Sequence, residues 1–447
     1  MKYNLEKTLK LKIRTSYKDV ILYLMSTLAF VFPVLINGLN GKAVIGFYVG
    51  CTSILIFKKD IRALSFYFLI IALNYYLLYV PLFPLPITVT SLIRIYPIFI
   101  IIYEFCMNPK LILDSRMIIS FPFIVVWICY FSLNSFMNDL SVPKMLWQST
   151  ILLYTVLLQI LVIKSNGFRK DLIISLFVAA LVFTAVGYFE LIQEKTFFYS
   201  TWAGIRYRNG IFRVGSMQGD PNTMAMYAVP LLFVFSTQTA KKILGRGLIA
   251  VFNFTLVVLV ILSGSRTSLI GLIFAWGLLY IYRHWKIRKI IVFGVAVLAI
   301  FFAPVIFNVF WHIDIASSGQ RLKLVFNAIN LWKEHYLIGI GFDQYYKLTQ
   351  WMTMNEYIKQ LTEFGLIGIV FYLTYWFRCF IKIFFSRNFY KVKKIQVGDN
   401  IYMAAALLSW CINAFSMDSF YHYVAWVFPA LILLFGFEGR ENGNNRR

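Results

Sequence analysis

Apolar runs of about 20 residues, the length of a helix that crosses a lipid bilayer, recur from Val20 almost to the last residue. Hydrophobic residues make up 60% of the 447 residues and charged residues 14%, against about 25% charged in soluble domains. A water-soluble core cannot bury this much apolar surface. The sequence therefore predicts an all-α polytopic membrane protein, with residues 1–447 forming a single transmembrane domain.

The hydropathy pattern predicts about 14 (12 to 14) transmembrane helices. The predicted spans lie near residues 20–36, 43–57, 63–80, 87–106, 117–133, 147–163, 171–191, 223–237, 247–262, 267–282, 290–310, 356–377, 401–416 and 421–437.

Basic residues divide unequally between the two sides of this topology. Most of the 43 Lys and Arg lie in segments on the side of the N-terminus, including the segment 378–400. By the positive-inside rule, both termini are expected in the cytoplasm, and 378–400 is expected to be a basic cytoplasmic loop. The formal net charge of +24 then follows from topology, and no nucleic-acid partner is expected.

Two predicted extracytoplasmic loops are long, residues 192–222 and 311–355, and they carry basic residues where the rule predicts few. Arginine's planar fork suits phosphate better than lysine's point charge. We interpret these arginines as candidates for binding an anionic ligand; the alternative is that long loops carry charge for solubility. The arginines concerned are Arg206, Arg208, Arg213 and Arg321.

The second loop shows helical periodicity. Its apolar residues recur on one face of a helix that ends at His335, with polar residues elsewhere. This pattern predicts an amphipathic helix on the outer membrane surface, or a helix that closes the outer mouth of the bundle. The predicted apolar face consists of Leu322, Val325, Phe326, Ile329 and Trp332.

The segment 263–268, Ser-Gly-Ser-Arg-Thr-Ser, separates two apolar spans at their predicted outer ends. Ser263 or Ser265 can cap a helix that starts near Arg266, whose first N–H groups and dipole then favour an anion. Ser265 and Thr267 add hydroxyl groups beside Arg266. The alternative is a capped turn whose arginine extends to the membrane surface.

Other polar residues lie within or at the ends of spans. Asp220, with Pro221 and Asn222, opens a span, which is also ordinary helix capping. Arg94 and Glu190 lie in the outer parts of spans, where ionisable groups are functional candidates and a structural salt bridge is the alternative. Glu363 lies beside glycines that permit close helix packing.

Five segments, in this order, resemble the superfamily of O-antigen polymerases (Wzy-type) and O-antigen ligases. The resemblance is clearest over residues 206–437, and all five segments meet at the predicted extracytoplasmic face. They read FRVGSMQGDPNTMAMYAVPLL, SGSRTSLIGL, GQRLKLVFNAINLWKEHYLIGIGFDQYY, MNEYIKQLTEFGLIGIVFYL and NAFSMDSFYHYVAWVFPALILL.

The resemblance implies a GT-C-like glycosyltransferase of the cytoplasmic (inner) membrane, with its active site facing the periplasm or the outside. It implies polymerisation of undecaprenyl-diphosphate-linked repeat units into O-antigen, capsular or exopolysaccharide. The implied partners are this lipid-linked oligosaccharide as donor and acceptor, the bilayer, a chain-length-regulating membrane protein and a flippase. Ligases have His-Asn where this chain has Met354-Asn355, which favours a polymerase.

The resemblance also implies roles for single residues. Arg266, Arg213 and Arg321 would anchor diphosphate and sugar, and a general base would be one of Asp220, Glu363 or His335. No metal or cofactor is expected, because no metal-binding cluster of His, Asp and Glu is seen in the sequence. Further binding residues would be Arg206, Arg208, Ser265, Thr267, Asn222, Asn355 and Arg94.

Two other functions stay open. One is a ligase-like transferase that moves the glycan to a different acceptor. The other is a flippase of the lipid-linked oligosaccharide, which should show two similar halves and a cavity lined by charge. No internal repeat is seen, and the outer concentration of arginine favours a site on one face.

Overall fold

The computed structural model describes residues 98, 101–109, 121–138, 156, 160, 168–195, 207–208, 211–218, 220–283, 315–351, 353, 355–384 and 399–415. Arg94, Arg206 and the predicted spans 20–36, 43–57, 63–80, 290–310 and 421–437 lie outside these residues. The chain divides into two compact units. The first comprises Met1–Ile100 and Leu161–Gly264, and the second comprises Ile101–Ile160 and Ser265–Arg447.

The described part of the chain is mostly helical, as the sequence predicts. Its β structure is one short antiparallel hairpin, β1 (Tyr207–Arg208) with β2 (Ile211–Phe212), which pairs Tyr207 with Phe212. The helices are α1 (Phe121–Met137), α2 (Phe168–Gln193), α3 (Pro221–Phe235), α4 (Gln238–Leu244), α5 (Arg246–Leu262), α6 (Arg266–Arg283), α7 (Ile315–Glu334), α8 (Gln344–Thr349), α9 (Glu356–Phe384) and α10 (Asp399–Asn413).

Seven predicted spans coincide with helices, namely α1, α2, α3, α5, α6, α9 and α10. Within the described residues, Leu176–Gln193 of α2 is the one stretch in a single helix that is long and apolar enough to cross a membrane. The pair α4 and α5 passes the same test only together, and it bends by 112°. α9 runs on to Phe384, so the predicted cytoplasmic segment 378–400 begins in a helix.

The first unit is built on α2, α3 and α5, whose contact faces are apolar. Nearly all of α3 is buried, and the rings of Phe177, Phe235 and Phe252 meet edge to face. Gly187 on α2 allows α5 to approach closely, because a Cβ there would lie 2.8 Å from Leu259 Cδ1. This packing fixes the C-terminal ends of α2 and α5 beside the loop that precedes α3.

In the second unit α6 packs along α10. Gly271 makes this close approach possible, since a Cβ on it would lie 3.1 Å from the carbonyl oxygen of Ser409. The end of α10 also contacts the start of α9, because the Glu356 N–H donates to the Ala414 carbonyl over 2.9 Å. The starts of α6 and α9 are therefore both tied to the end of α10.

The amphipathic helix predicted in the second loop is α7, and its buried residues lie beside the predicted apolar face. Leu324 and Ala328 are buried, whereas Phe326 of the predicted apolar face is 61% exposed. The small Ala328 lets α9 come close enough for the Thr362 hydroxyl to donate to the Ala328 carbonyl over 3.2 Å. The other described residues of that face, Val325, Ile329 and Trp332, are half-buried.

α9 is interrupted at Gly365, whose φ of +66° and ψ of −165° are not helical. The segment after α7 crosses the helix there. Gly341 N–H donates to the Glu363 carbonyl over 3.0 Å, and Leu366 N–H donates to the Tyr336 carbonyl over 2.9 Å. α9 therefore consists of two helical pieces with an extended segment hydrogen-bonded across the break.

Candidate active site

Arg213, one of the predicted phosphate-binding arginines, is held in place by hydrogen bonds. Its Nε donates to the Ser263 carbonyl over 2.8 Å, and its Nη2 donates to Asn222 Oδ1 over 2.9 Å. The side chain is 7% exposed. Gly264, at φ +61°, lies so close that a Cβ on it would be 3.3 Å from Arg213 Nε. The guanidinium thus sits at the C-terminal end of α5, where the helix dipole favours a cation.

Glu190 holds the loop that carries Arg213. This residue is fully buried on α2, and its Oε2 accepts from the N–H groups of Gly215 (3.2 Å) and Ser216 (2.7 Å). Ser216 has a left-handed φ of +49°, and its hydroxyl donates to the Phe183 carbonyl over 2.6 Å. The buried carboxylate therefore binds the backbone of this loop.

Asp220 is the N-cap of α3. Its Oδ2 accepts from the Thr223 backbone N–H over 2.7 Å and from the Thr223 hydroxyl over 2.9 Å. Pro221 occupies the first helical position, as the capping interpretation of the sequence predicts. An oxygen that already accepts two hydrogen bonds is a poor base, so this geometry favours the structural function of Asp220 over the catalytic one.

α6 begins at Arg266, as predicted, and Ser265 precedes it. The Ser265 carbonyl accepts from the Leu269 N–H over 3.1 Å, which is the first hydrogen bond of the helix. The Ser265 hydroxyl lies 3.0 Å from the Ser268 hydroxyl, and Ser268 donates to Asn413 Oδ1 over 2.6 Å. This buried chain of polar groups fixes the first turn of α6 against α10, with Arg266 and Thr267 half-buried beside it.

Glu363 lies at the end of the first helical piece of α9, two residues before the break, and is 1% exposed. Asn355 begins the same piece, where its Oδ1 accepts from the Ile358 N–H over 3.1 Å. Asn355 is thus an N-cap, a function that its place before the helix could have indicated. Because α6 and α9 share α10 as a neighbour, the second unit brings Arg266 and Asn355 to one group of helix starts, and Glu363 lies about two turns further along α9.

The side chains of the other predicted residues are exposed or lie outside the part of the chain that the structure describes. His335 is exposed just after α7. Arg208 lies in β1 and Arg321 in α7, but their side chains lie outside the described part, as do Arg94 and Arg206 entirely.

Three buried polar residues of α9 were missed by the sequence analysis. Glu356 and Gln360 are fully buried and Lys359 is 4% exposed, and Gln360 Nε2 donates to Glu356 Oε1 over 2.7 Å. Lys359 stands three residues after Glu356 and four before Glu363, so the three side chains share one helical face. The signal was an ionisable residue inside a predicted span, the same criterion that singled out Arg94 and Glu190.

Tyr345 connects the two helices of the segment 315–349. The side chain is 1% exposed, and its hydroxyl donates to the Leu324 carbonyl over 2.7 Å. Burial raises the pKa of this phenol above its ordinary value, and a hydrogen bond with Thr349 opposes the rise. The neutral phenol thereby links α8 to α7.

The site chemistry is that of arginines, hydroxyl groups and one helix of buried carboxylates. Such groups can hold a phosphate and accept a proton. Over the residues that the structure describes, no group of three or more His, Cys, Asp or Glu is placed to hold a metal ion.

Residues 251–373 match a family model described as O-Antigen ligase. The matched stretch includes Arg266, Arg321, His335, Asn355 and Glu363. The match confirms the resemblance to the O-antigen ligase and polymerase superfamily, without separating the two activities, and it agrees with a multi-pass membrane protein. Comparison with curated proteins gives no match.

Proposed function

Since residues 251–373 carry the similarity to the O-antigen ligase family, we propose that this protein polymerises undecaprenyl-diphosphate-linked oligosaccharide repeat units at the outer face of the cytoplasmic membrane. The product is O-antigen, capsular or exopolysaccharide. A sugar hydroxyl of one lipid-linked unit attacks the anomeric carbon of the donor chain. The bond from that carbon to the diphosphate oxygen breaks, and the lipid diphosphate leaves.

Arginines supply the positive charge that this reaction needs. A departing diphosphate gains negative charge, and prearranged cationic donors stabilise it without a metal. We assign this role to Arg266, Arg213 and Arg321, with Arg206, Arg208 and Arg94 as further substrate-binding residues. The observation that best supports it is the anchoring of Arg213, whose Nε and Nη2 are both fixed by hydrogen bonds, since a guanidinium held in place loses little entropy on binding.

Glu363 is the proposed general base, which takes the proton of the attacking hydroxyl. Of the three carboxylate and imidazole candidates, Asp220 is occupied as a helix cap and His335 is exposed outside the helix starts. Glu363 is buried and stands at a backbone break on the helix that Asn355 opens. A base must lie within hydrogen-bond reach of the proton that it accepts, and a fixed backbone provides that precision.

A polymerase is favoured over a ligase by the sequence departure at Met354-Asn355. The ligase pattern has a histidine at the first of these positions, and this chain has a methionine. The acceptor is then a second lipid-linked unit. The proposed partners are a flippase, which brings the lipid-linked unit to the outer face, and a membrane protein that regulates chain length.

The test is reconstitution of the purified full chain with undecaprenyl-diphosphate-linked repeat units in detergent, with products resolved on a gel. A ladder of lengthening glycans is expected from the wild type, and Arg266→Ala should abolish it. Arg246→Ala is the matched control, because Arg246 is an exposed arginine at the start of α5 on the predicted cytoplasmic side.

The outcomes separate the candidate functions. Transfer only to an acceptor that is not the repeat unit would establish a ligase instead. If neither product forms, a transport assay for the lipid-linked unit becomes the next measurement. Polymerisation should also survive EDTA, since the charge comes from arginine; loss of the ladder that Mg²⁺ restores would overturn the metal-independent mechanism.

A further inference from the structure

The break in α9 frees backbone groups that an unbroken helix would pair internally. In a membrane such groups need partners within the protein, because lipid offers none. The crossing segment supplies several of them. The Ile340 N–H donates to the Thr362 carbonyl over 2.9 Å, and the Ile367 N–H donates to the Leu337 carbonyl over 3.2 Å.

α1 adds donors to carbonyls of both the crossing segment and the break. Asn134 Nδ2 donates to the Ile338 carbonyl over 2.7 Å, with the Glu363 carbonyl at 3.5 Å. The Tyr130 hydroxyl donates to the Phe364 carbonyl over 2.5 Å. Tyr130 and Asn134 are four residues apart and therefore share one face of α1.

These two donors connect α1 with the backbone at Glu363 and at the residue after it. Asn134 connects the crossing segment with the residue itself, and Tyr130 connects α1 with the residue that follows. Phe131, between them, packs on Phe364 with ring centroids 4.3 Å apart. Asn134 is fully buried, so its amide is part of the interior rather than a surface contact.

We propose that Asn134 and Tyr130 are positioning residues for the reaction, holding the backbone at Glu363 so that its carboxylate meets the acceptor hydroxyl. This inference rests on the proposed function of Glu363. A displacement of about 1 Å at a reacting group can cost about a hundredfold in rate. Asn134 and Tyr130 are not among the proposed substrate-binding residues, so the loss should fall on turnover.

Two conservative substitutions test it. Asn134→Asp keeps the shape of the side chain and removes the amide donors that face the carbonyl oxygens. Tyr130→Phe keeps the ring and removes the hydroxyl donor. Ser132→Ala is the control on the same helix, because the Ser132 hydroxyl donates to the Ile128 carbonyl within α1 and makes no bond to the break.

Initial rates of polymerisation are measured over a range of lipid-linked repeat concentrations, per folded protein as judged by gel filtration in detergent. We expect each test variant to lower kcat at least tenfold while KM stays within about twofold of the wild type. Ser132→Ala should match the wild type. Unchanged kcat in Tyr130→Phe, or a rise in KM alone, would overturn the inference, and Tyr130→Phe decides the matter if Asn134→Asp does not fold.

Two further samples keep the proposals distinguishable. If the wild type forms no polymer, the proposed function fails. If the wild type forms polymer and Glu363→Gln forms it equally well, the function stands but the assignment of Glu363 fails, and the positioning proposal fails with it. If Glu363→Gln is inactive while both α1 variants are normal, only the positioning proposal is wrong.

Discussion

Gly339 and Gly365 cross backbone to backbone, each occupying the space that a side chain on the other would need. A Cβ on Gly339 would lie 2.6 Å from Gly365 N, and a Cβ on Gly365 would lie 2.6 Å from Gly339 N. Both residues have positive φ, +81° and +66°, which favours glycine. This crossing lets the segment after α7 pass through the break in α9.

Gly365→Ala should prevent this crossing. The new methyl group would meet the Leu337 carbonyl oxygen, and alanine at positive φ adds about 1–2 kcal/mol of strain. We expect a clear fall in the thermal unfolding midpoint in detergent, followed by intrinsic fluorescence. Gly277→Ala is the control, because no atom lies within 4 Å of its Cβ position on α6. Equal midpoints for the two variants would contradict the crossing.

Glu190→Gln should loosen the loop that carries Arg213. The amide is a weaker acceptor than the carboxylate for the two N–H groups, and it places an NH₂ in the same buried site, at a cost of about 1–3 kcal/mol. Limited proteolysis should then cut within residues 213–218 more rapidly. Glu194→Gln makes the same chemical change at an exposed position and should leave the rate unchanged.

Two substitutions at Asp220 distinguish helix capping from base catalysis. Asn caps a helix about as well as Asp, whereas Ala costs about 1 kcal/mol. We expect Asp220→Asn to retain both thermal stability and polymerisation, and Asp220→Ala to lose stability. An Asp220→Asn variant that folds normally but forms no polymer would return Asp220 to the role of base.

Loss of the Tyr345 proton at alkaline pH should make the contact between α7 and α8 less stable. A phenol whose pKa is raised on folding holds its proton more tightly in the native state, so its contribution is complete below its ordinary pKa of 10.0 and declines as the pH rises beyond it. Amide exchange in α7 and α8 should therefore accelerate above pH 10. Tyr345→Phe should reduce this dependence, and Tyr336→Phe, at a 57% exposed site, should not.

Helix positions were predictable because they follow from local composition. The predicted start near Arg266 and the cap at Asp220 agree with the structure, since serine, aspartate and proline at those places act through neighbouring backbone groups. The same locality explains why the apolar spacing of the second loop predicted a helix that ends beside His335.

Long-range contacts were not predictable in the same way. Tyr130 lies in the predicted span 117–133 and Asn134 just after it. Neither stood out, because their partners at Ile338 and Phe364 lie 204 and 234 residues away. The burial of Leu324 and Ala328 in α7 was not predicted either, because the small Ala328 allows a close approach that apolar spacing does not indicate. Apolar spacing measures how a helix divides its surface and does not say which neighbour covers it.

The backbone hydrogen bonds between residues 336–341 and 362–367 close the intervening chain into a ring. The entropy cost of closing a ring rises slowly with its length, so residues added between Phe342 and Trp351 would enlarge the ring without shifting its clasp. The segment between Phe342 and Trp351 can thus vary in length and sequence while the backbone at Glu363 stays in place. In the proposed polymerase, such a ring would let the loop vary with the sugar while the proposed base stays in place.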